Sequence, residues 1–266
     1  MIEEIKETIR EHNLILFIGA GISATLGLPT WSELINQMAK ELGFDERLFK
    51  QYGDSLILAE YYEEKKGRIG ELRSWMDQNW NVSRGSIRES IIYKAIVDMN
   101  CPIIYTTNYD HCLETAFDIW EKEYKRIIDV DDLVGIKPTT TQIVKFHGDL
   151  ISDESIVLTE RSYFNRLDFE SPLDIKLRSD MLGRSILFIG YSLSDINIRF
   201  LIYKLDQLWK KSNNNSKRPN SYIFLPTPNP IQETILKSRG VLPIIGQEID
   251  KKRSTEKFLT ECLDRD

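Results

Sequence analysis

The stretch LILFIGAGISATLGLPTW, residues 14–31, reads as a buried strand that runs straight into a glycine turn and a following helix. Leu14 to Ile18 are five consecutive apolar residues, the pattern of a strand covered on both faces and so of a parallel sheet. Gly19, Ala20 and Gly21 come next, with Ser23 close behind. Glycine tolerates positive φ and has no Cβ, so backbone N–H groups in such a turn can approach a phosphate, and a helix N-terminus adds favourable partial charge. The same residues also make a tight strand-to-helix turn that holds no ligand.

Working outward, Ile2, Ile5 and Ile9 recur at helical spacing before the first strand. Short apolar runs return at Pro102 to Tyr105, Gln142 to Phe146, Ser185 to Ile189, Ser221 to Leu225 and Val241 to Ile245. Amphipathic segments fall at Trp31 to Leu42, Ser86 to Met99, Tyr109 to Trp120, Asp195 to Trp209 and Ile231 to Ser238. This alternation predicts an α/β fold: a Rossmann-like parallel sheet with helices on both faces, formed by a single domain over residues 1–266. Residues 45–100 contain no clear strand and read as a helical insertion forming a lobe over a cleft. KKSNNNSKRPN, residues 210–220, is polar and rich in turn formers and reads as an exposed loop.

Composition narrows the function classes. With 41% apolar and 29% charged residues, the chain is that of a globular protein, and no apolar run is long enough to cross a bilayer. The N-terminus lacks the basic start and long apolar core of a secretory signal, so the expected location is the cytoplasm. A formal net charge of −6 argues against broad phosphate-backbone contact, and no direct nucleic-acid binding is expected. Cys101, Cys112 and Cys262 are an odd number without a CxxC pair, which supports neither a disulfide framework nor a four-cysteine zinc site; no metal is expected. The chain has no Gly-Lys-Ser/Thr, which excludes an ATP-hydrolysing P-loop.

Three further motifs carry chemistry. CPIIYTTNYDHCLETAF, residues 101–117, delivers Thr106, Thr107, Asn108 and Asp110 to the carboxyl end of a strand, where ligands of open α/β sheets sit; Asn108 or Asp110 would serve equally as a helix cap. QIVKFHGDL, residues 142–150, places His147 at another strand end, as a general base or as a hydrogen-bonded structural histidine. SILFIGYSLSDINIRFLIYKL, residues 185–205, ends its strand at Gly190 and offers Ser192 or Ser194 as N-cap, with Asp195 and Arg199 spaced for an i, i+4 surface pair. His12 and His111 lie on helix-like segments and read as structural.

Taken together and in this order, GAGIS with GLPTW, TTNYD, KFHG and GYSLSD resemble the sirtuin family, and most closely its bacterial anti-phage defence branch, over about residues 14–208. The resemblance implies that Gly19, Ala20, Gly21 and Ser23 line the phosphates of NAD⁺ and that Asn108 sits beside the nicotinamide ribose. It further implies that Asp110 contacts the carboxamide side of nicotinamide, that His147 is the base, and that Gly190 and Ser192 contact the adenosine half. Two segments depart from the family: in the cofactor loop Thr30, Trp31 and Ser32 stand where an aromatic and an arginine are usual after the proline, and in TTNYD Thr107 replaces a glutamine. The paired cysteines of the zinc module are also absent. Acyl peptides bind against that module, so water is the implied acceptor.

The implied function is therefore an NAD⁺ hydrolase that releases nicotinamide and ADP-ribose, with NAD⁺ as substrate, as the NAD-depleting effector of an anti-phage abortive-infection system. Activation would come from homo-oligomeric assembly or from a separately encoded sensor or activator protein. The alternatives are an NAD-dependent protein deacylase or ADP-ribosyltransferase using the same Asn108 and His147, and a non-catalytic module that binds NAD⁺ or ADP-ribose.

Overall fold

A computed structural model describes residues 1–67, 69–166, 170–192, 195–212 and 217–264. Seven strands form one sheet: β1 (Leu14–Ile18), β2 (Ile103–Thr106), β3 (Tyr124–Ile127), β4 (Thr141–Lys145), β5 (Ser185–Ile189), β6 (Ser221–Leu225) and β7 (Val241–Ile245). Their spatial order is β3-β4-β2-β1-β5-β6-β7, and every pairing is parallel. Chain order therefore reverses direction at β1, with β2 on one side and β5 on the other, and the carboxyl ends beside such a reversal are where open α/β sheets hold ligands.

The apolar runs explain the register. Leu14, Leu16 and Ile18 face one core with the helices Ile91–Asp98, Cys112–Ile119 and Lys251–Leu263. Ile15 and Phe17 face the other, with Pro172–Gly183, Ile196–Lys211 and Pro230–Ser238. Each fully buried Ile, Leu or Phe is worth roughly 1.5–3 kcal/mol over its exposed state, so a one-residue slip would move apolar side chains to the wrong layer on both sides. β3 is the strand that the apolar runs do not reveal. It lies at the sheet edge as YKRI, with three of its four residues half-buried.

A third core belongs to the helical lobe and includes Leu34, Met38, Phe49, Tyr62, Leu72 and Met76, closed from the sheet side by Tyr109, Leu150 and Leu158. It begins with the helix Trp31–Glu41, earlier than an insertion at about 45–100 would have it. The helix Ile91–Asp98, inside that expected range, packs on the sheet instead. The expected loop at 210–220 lies partly outside the described residues; Lys210 and Lys211 end the long helix Ile196–Lys211. That helix is capped by Asp195, not by Ser192, while Ser194 lies outside the described residues. All three cysteines are buried and unpaired by disulfides, and burial pushes the Cys262 thiol up to about 12.

Candidate functional site

The four loops singled out in the sequence leave β4, β2, β1 and β5, four neighbours at the centre of the sheet, at their carboxyl ends. Thr106 and Lys145 are register partners at the ends of β2 and β4. Asn108 and His147 therefore emerge two residues beyond paired positions on adjacent strands. Val157 bridges the two loops: its N–H donates to the His147 carbonyl at 2.9 Å, and its carbonyl accepts the Tyr109 hydroxyl at 2.6 Å.

Asn108 is held from both ends. Its backbone N–H donates to Thr106 Oγ1 at 3.0 Å, and the same hydroxyl donates to the Ile18 carbonyl at 2.8 Å, tying the β2 loop to the end of β1. Its side-chain Nδ2 donates to Ser23 Oγ at 3.0 Å, which turns the amide oxygen away from Ser23. Ser23 Oγ in turn donates to Asp110 Oδ2 at 2.7 Å and lies 3.4 Å from the Tyr93 hydroxyl. Ser23 was expected on the phosphates; the structure spends its hydroxyl on Asn108 and Asp110, because the residue is buried beneath the loop. Asp110 is likewise occupied, with Oδ1 accepting the Cys112 N–H at 3.0 Å; neither residue offered as a cap holds the cap position of the helix Cys112–Ile119, which is His111, and Asp110 reaches the first helical N–H from one residue before it.

The glycines do a different job from the one their pattern announces. Gly19 N–H donates to Ile189 O at 2.9 Å and Gly21 N–H to Gly190 O at 2.8 Å, so the β1 and β5 loops cross backbone to backbone. A Cβ at Gly19 would lie 2.4 Å from Gly190 O, and one at Gly190, whose φ is +59°, would lie 2.6 Å from Ile22 N. These two positions need glycine for the crossing itself. Ala20 and Gly21 remain exposed on the rim above it.

His147 is 2% exposed. Its Nδ1 lies 3.3 Å from the Tyr163 hydroxyl, and its Nε2 lies 3.0 Å from Asp195 Oδ2, off the line of a hydrogen bond. Asp195 is thus no surface partner of Arg199: its side chain is turned inward, and its other oxygen, Oδ1, caps the long helix through the amides of Asn197 at 2.8 Å and Ile198 at 3.1 Å. Burial alone would push the Asp195 carboxyl up, but His147 and the two amides outweigh it and hold it below the usual carboxylate range. Tyr191 packs on Phe17 and Phe188, and its hydroxyl is pushed up by burial and by Asp195, with Thr107 acting in the opposite sense.

Not every expected residue joins this group. Trp31 packs half-buried against the lobe core, and Ser192 is exposed, its carbonyl accepting Gln232 Nε2 at 2.8 Å. His111 is not within a helix but just ahead of Cys112–Ile119, with Nε2 2.8 Å from Asp149 Oδ1, while His12 occupies a left-handed turn after the helix Ile2–Arg10. Asp195, Tyr163 and Tyr191 were missed as partners of the site. The GYSLSD motif contained the first and third of them, but their contacts depend on which strands become neighbours. Among the described residues no cluster of His, Cys, Asp or Glu is placed to hold a metal, and no helix is long and apolar enough to cross a membrane.

Known proteins share this architecture. The chain aligns with a crystal structure of a Sir2 homologue in complex with NAD, with a TM-score of 0.55 at 13% identity, covering 98% of this chain and 93% of that one. An ADP-ribose complex of a mutant Sir2 homologue aligns with a TM-score of 0.52 at 14% identity, covering 99% and 97%. In sequence, the NAD(+) hydrolase ThsA of Enterococcus faecium is 30% identical over 206 residues, 76% of this chain and 42% of that protein. Defense-associated sirtuin 2 of Bacillus subtilis is 29% identical over 220 residues, 79% of this chain and 21% of that protein. The chain thus spans less than half the length of these curated relatives. A family model described as the SIR2-like domain matches residues 102–244, more than half of the chain and three of its four strand-end motifs. With the parallel sheet, its reversal at β1 and the strand-end loops already in place, that match shows that the chain belongs to the SIR2-like domain family.

Proposed function

We propose that this chain is an NAD⁺ hydrolase that cleaves the nicotinamide–ribose bond, with Asn108 and His147 as its catalytic pair, acting in the cytoplasm as the NAD-depleting effector of an anti-phage system. The observation that carries the reading is the placement of those two residues, each two positions past register partners on adjacent parallel strands, beside the reversal at β1. The names of the relatives, two of which are an NAD(+) hydrolase and a defence sirtuin, support it.

The chemistry suits these groups. Nicotinamide leaves NAD⁺ as a neutral heterocycle, so no acid is needed, and positive charge develops on the ribose. Asn108, with its NH₂ committed to Ser23, presents its amide oxygen to a ribose hydroxyl or to the attacking water. Water forms the new C–O bond, its proton passes to His147, and ADP-ribose is the product. Ala20 and Gly21, with Thr107, Trp31, Gly190 and Ser192, would border the bound dinucleotide, the first two at the pyrophosphate. Ser23 and Asp110 act from below by fixing Asn108. Basal turnover would be restrained until the chain assembles into a homo-oligomer or meets a separately encoded activator.

The test is nicotinamide release from NAD⁺ by the purified chain, alone and with the products of neighbouring genes. Release should occur in at least one of these conditions. Asn108→Ala and His147→Ala should each lower it by about 10²–10⁴-fold while the chain stays folded. Tight NAD⁺ binding with no release in any condition would make the chain a binding module, and release that requires an acylated or acceptor protein would make it a transferase.

A further inference from the structure

Outside the residues that the proposed reaction uses, one buried anion touches its base. Asp195 Oδ1 is fixed by two helix amides, so Oδ2 has little freedom and faces His147 Nε2 at 3.0 Å. Neither Oδ2 nor Nε2 has a hydrogen-bond partner among the described residues, so the two atoms face each other as a close pair that a small turn of the ring would bring into line. The remaining groups around the ring are not anions. Tyr163 approaches Nδ1; Tyr109 and Tyr191 stand near Asp195; and the Arg166 guanidinium donates to the Phe146 carbonyl while paired with Asp174 at 2.6 Å.

We propose that Asp195 is the positioning residue for His147: its carboxylate orients the ring and retains the Nε2 proton, making Nδ1, on the Tyr163 side, the atom that accepts a proton. The inference rests on His147 being the base of the proposed hydrolysis. As the water oxygen bonds to the ribose carbon and nicotinamide departs with the electron pair of the broken C–N bond, the water proton moves to Nδ1. The resulting imidazolium keeps its Nε2–H toward Asp195, which stabilises it, and later returns a proton to solvent. A helix cap is thereby also the anchor of the base: one carboxylate oxygen fixes the helix and the other fixes the ring.

Asp195→Asn separates the two roles, because asparagine caps helices as well as aspartate but carries no charge. The chain has three histidines, so each ring can be followed individually by NMR. In the full chain, Asp195→Asn should lower the His147 titration midpoint, since the imidazolium loses its counter-charge. Nicotinamide release should fall by about 10²–10⁴-fold, and the acid limb of its pH profile should move to lower pH. An unmoved His147 midpoint, an unmoved acid limb, or a rate equal to or above wild type would overturn the proposal. The wild-type protein gives a test that does not depend on any variant folding: neutral His147 must carry its proton on Nε2, and a proton on Nδ1 would overturn the assignment. Full activity of His147→Ala would instead overturn the reading of His147 as base, while the NMR titration would still report whether Asp195 and His147 are coupled.

Discussion

Two buried ionic groups lie at the end of β4, two residues apart in sequence, and they are built on different plans. Lys145, fully buried, donates to the Asp110 carbonyl and lies 3.6 Å from Glu114 and 3.7 Å from Asp149. Asp149 adds His111 at 2.8 Å, the Ile151 N–H at 2.9 Å and Arg126 at 3.9 Å. This group surrounds one lysine with carboxylates and cations and ties it to the loop that presents Asn108. The second group has one imidazole and one carboxylate inside a ring of tyrosines, His147 with Asp195, Tyr163 and Tyr191. Many partners make the first group a fixed support. Few partners distinguish the second, the group proposed above to take up a proton.

The comparison predicts that the supporting group governs folding and the sparse one governs turnover. Lys145→Met should have the largest effect on stability, about 3–5 kcal/mol in denaturant unfolding, because it leaves Asp149 and Glu114 buried without their cation. A loss below about 1 kcal/mol would show that solvent reaches the group and that its plan is not a fixed one. Gly148 joins the two groups and is next in size. Its φ is +87°, and a Cβ there would lie 2.1 Å from the Ser155 carbonyl oxygen, with no flexible side-chain end to give way. Gly148→Ala should cost about 2–3 kcal/mol and should also broaden the His147 resonances, since both groups hang from that turn.

How far each group was legible in the sequence follows from the range of its contacts. The strands declared themselves because β1, β2 and β5 are buried along their whole length, so continuous apolar runs are their signature. β3 did not, because an edge strand needs only one inward residue, Ile127. Asn108 and His147 were visible as polar residues at strand ends. Asp195 looked complete with Arg199 four residues on, since local spacing satisfies a helix surface; its pairing with His147 depends on the long helix starting beside the β4 end, which no local pattern encodes. Lys145, the last residue of an apolar strand, carries no local sign of burial, yet it is buried, with carboxylates from the neighbouring helix and loop converging on it. Gly19 and Gly190 stand out in the sequence as glycines at strand ends, but one reason for them is invisible there: β1 and β5 become neighbours and their loops must cross.

Titration sharpens the contrast with a smaller effect. Burial would raise the Asp149 carboxyl, but His111, Lys145 and the Ile151 amide lower it to about 2. Its folded-state pKa is therefore depressed, so its contribution is present above the ordinary carboxylate range and is lost as pH falls from about 4 to about 2. Allowing for solvent screening, about 1–2 kcal/mol of unfolding free energy should disappear across that window. Asp149→Asn should flatten the stability profile between those values, and an unchanged slope would remove Asp149 from the supporting group.

The smallest effect is expected at Tyr163, and it tests where the second group ends. The hydroxyl is 3.3 Å from His147 Nδ1, at the long end for a hydrogen bond, and burial keeps the phenol protonated at any working pH. A neutral bond of that length contributes about 0.5–1.5 kcal/mol, so Tyr163→Phe should lower nicotinamide release by no more than about tenfold and stability by about 1 kcal/mol. The reason for a small effect is that, in the proposed mechanism, the attacking water would replace Tyr163 at Nδ1; removing the hydroxyl would weaken the ring's resting position but leave Asp195 beside the opposite nitrogen. A loss as large as that of His147→Ala would mean that the proton reaches His147 through the phenol oxygen, and the sparse group would then be a three-residue relay with Tyr163 at its substrate end.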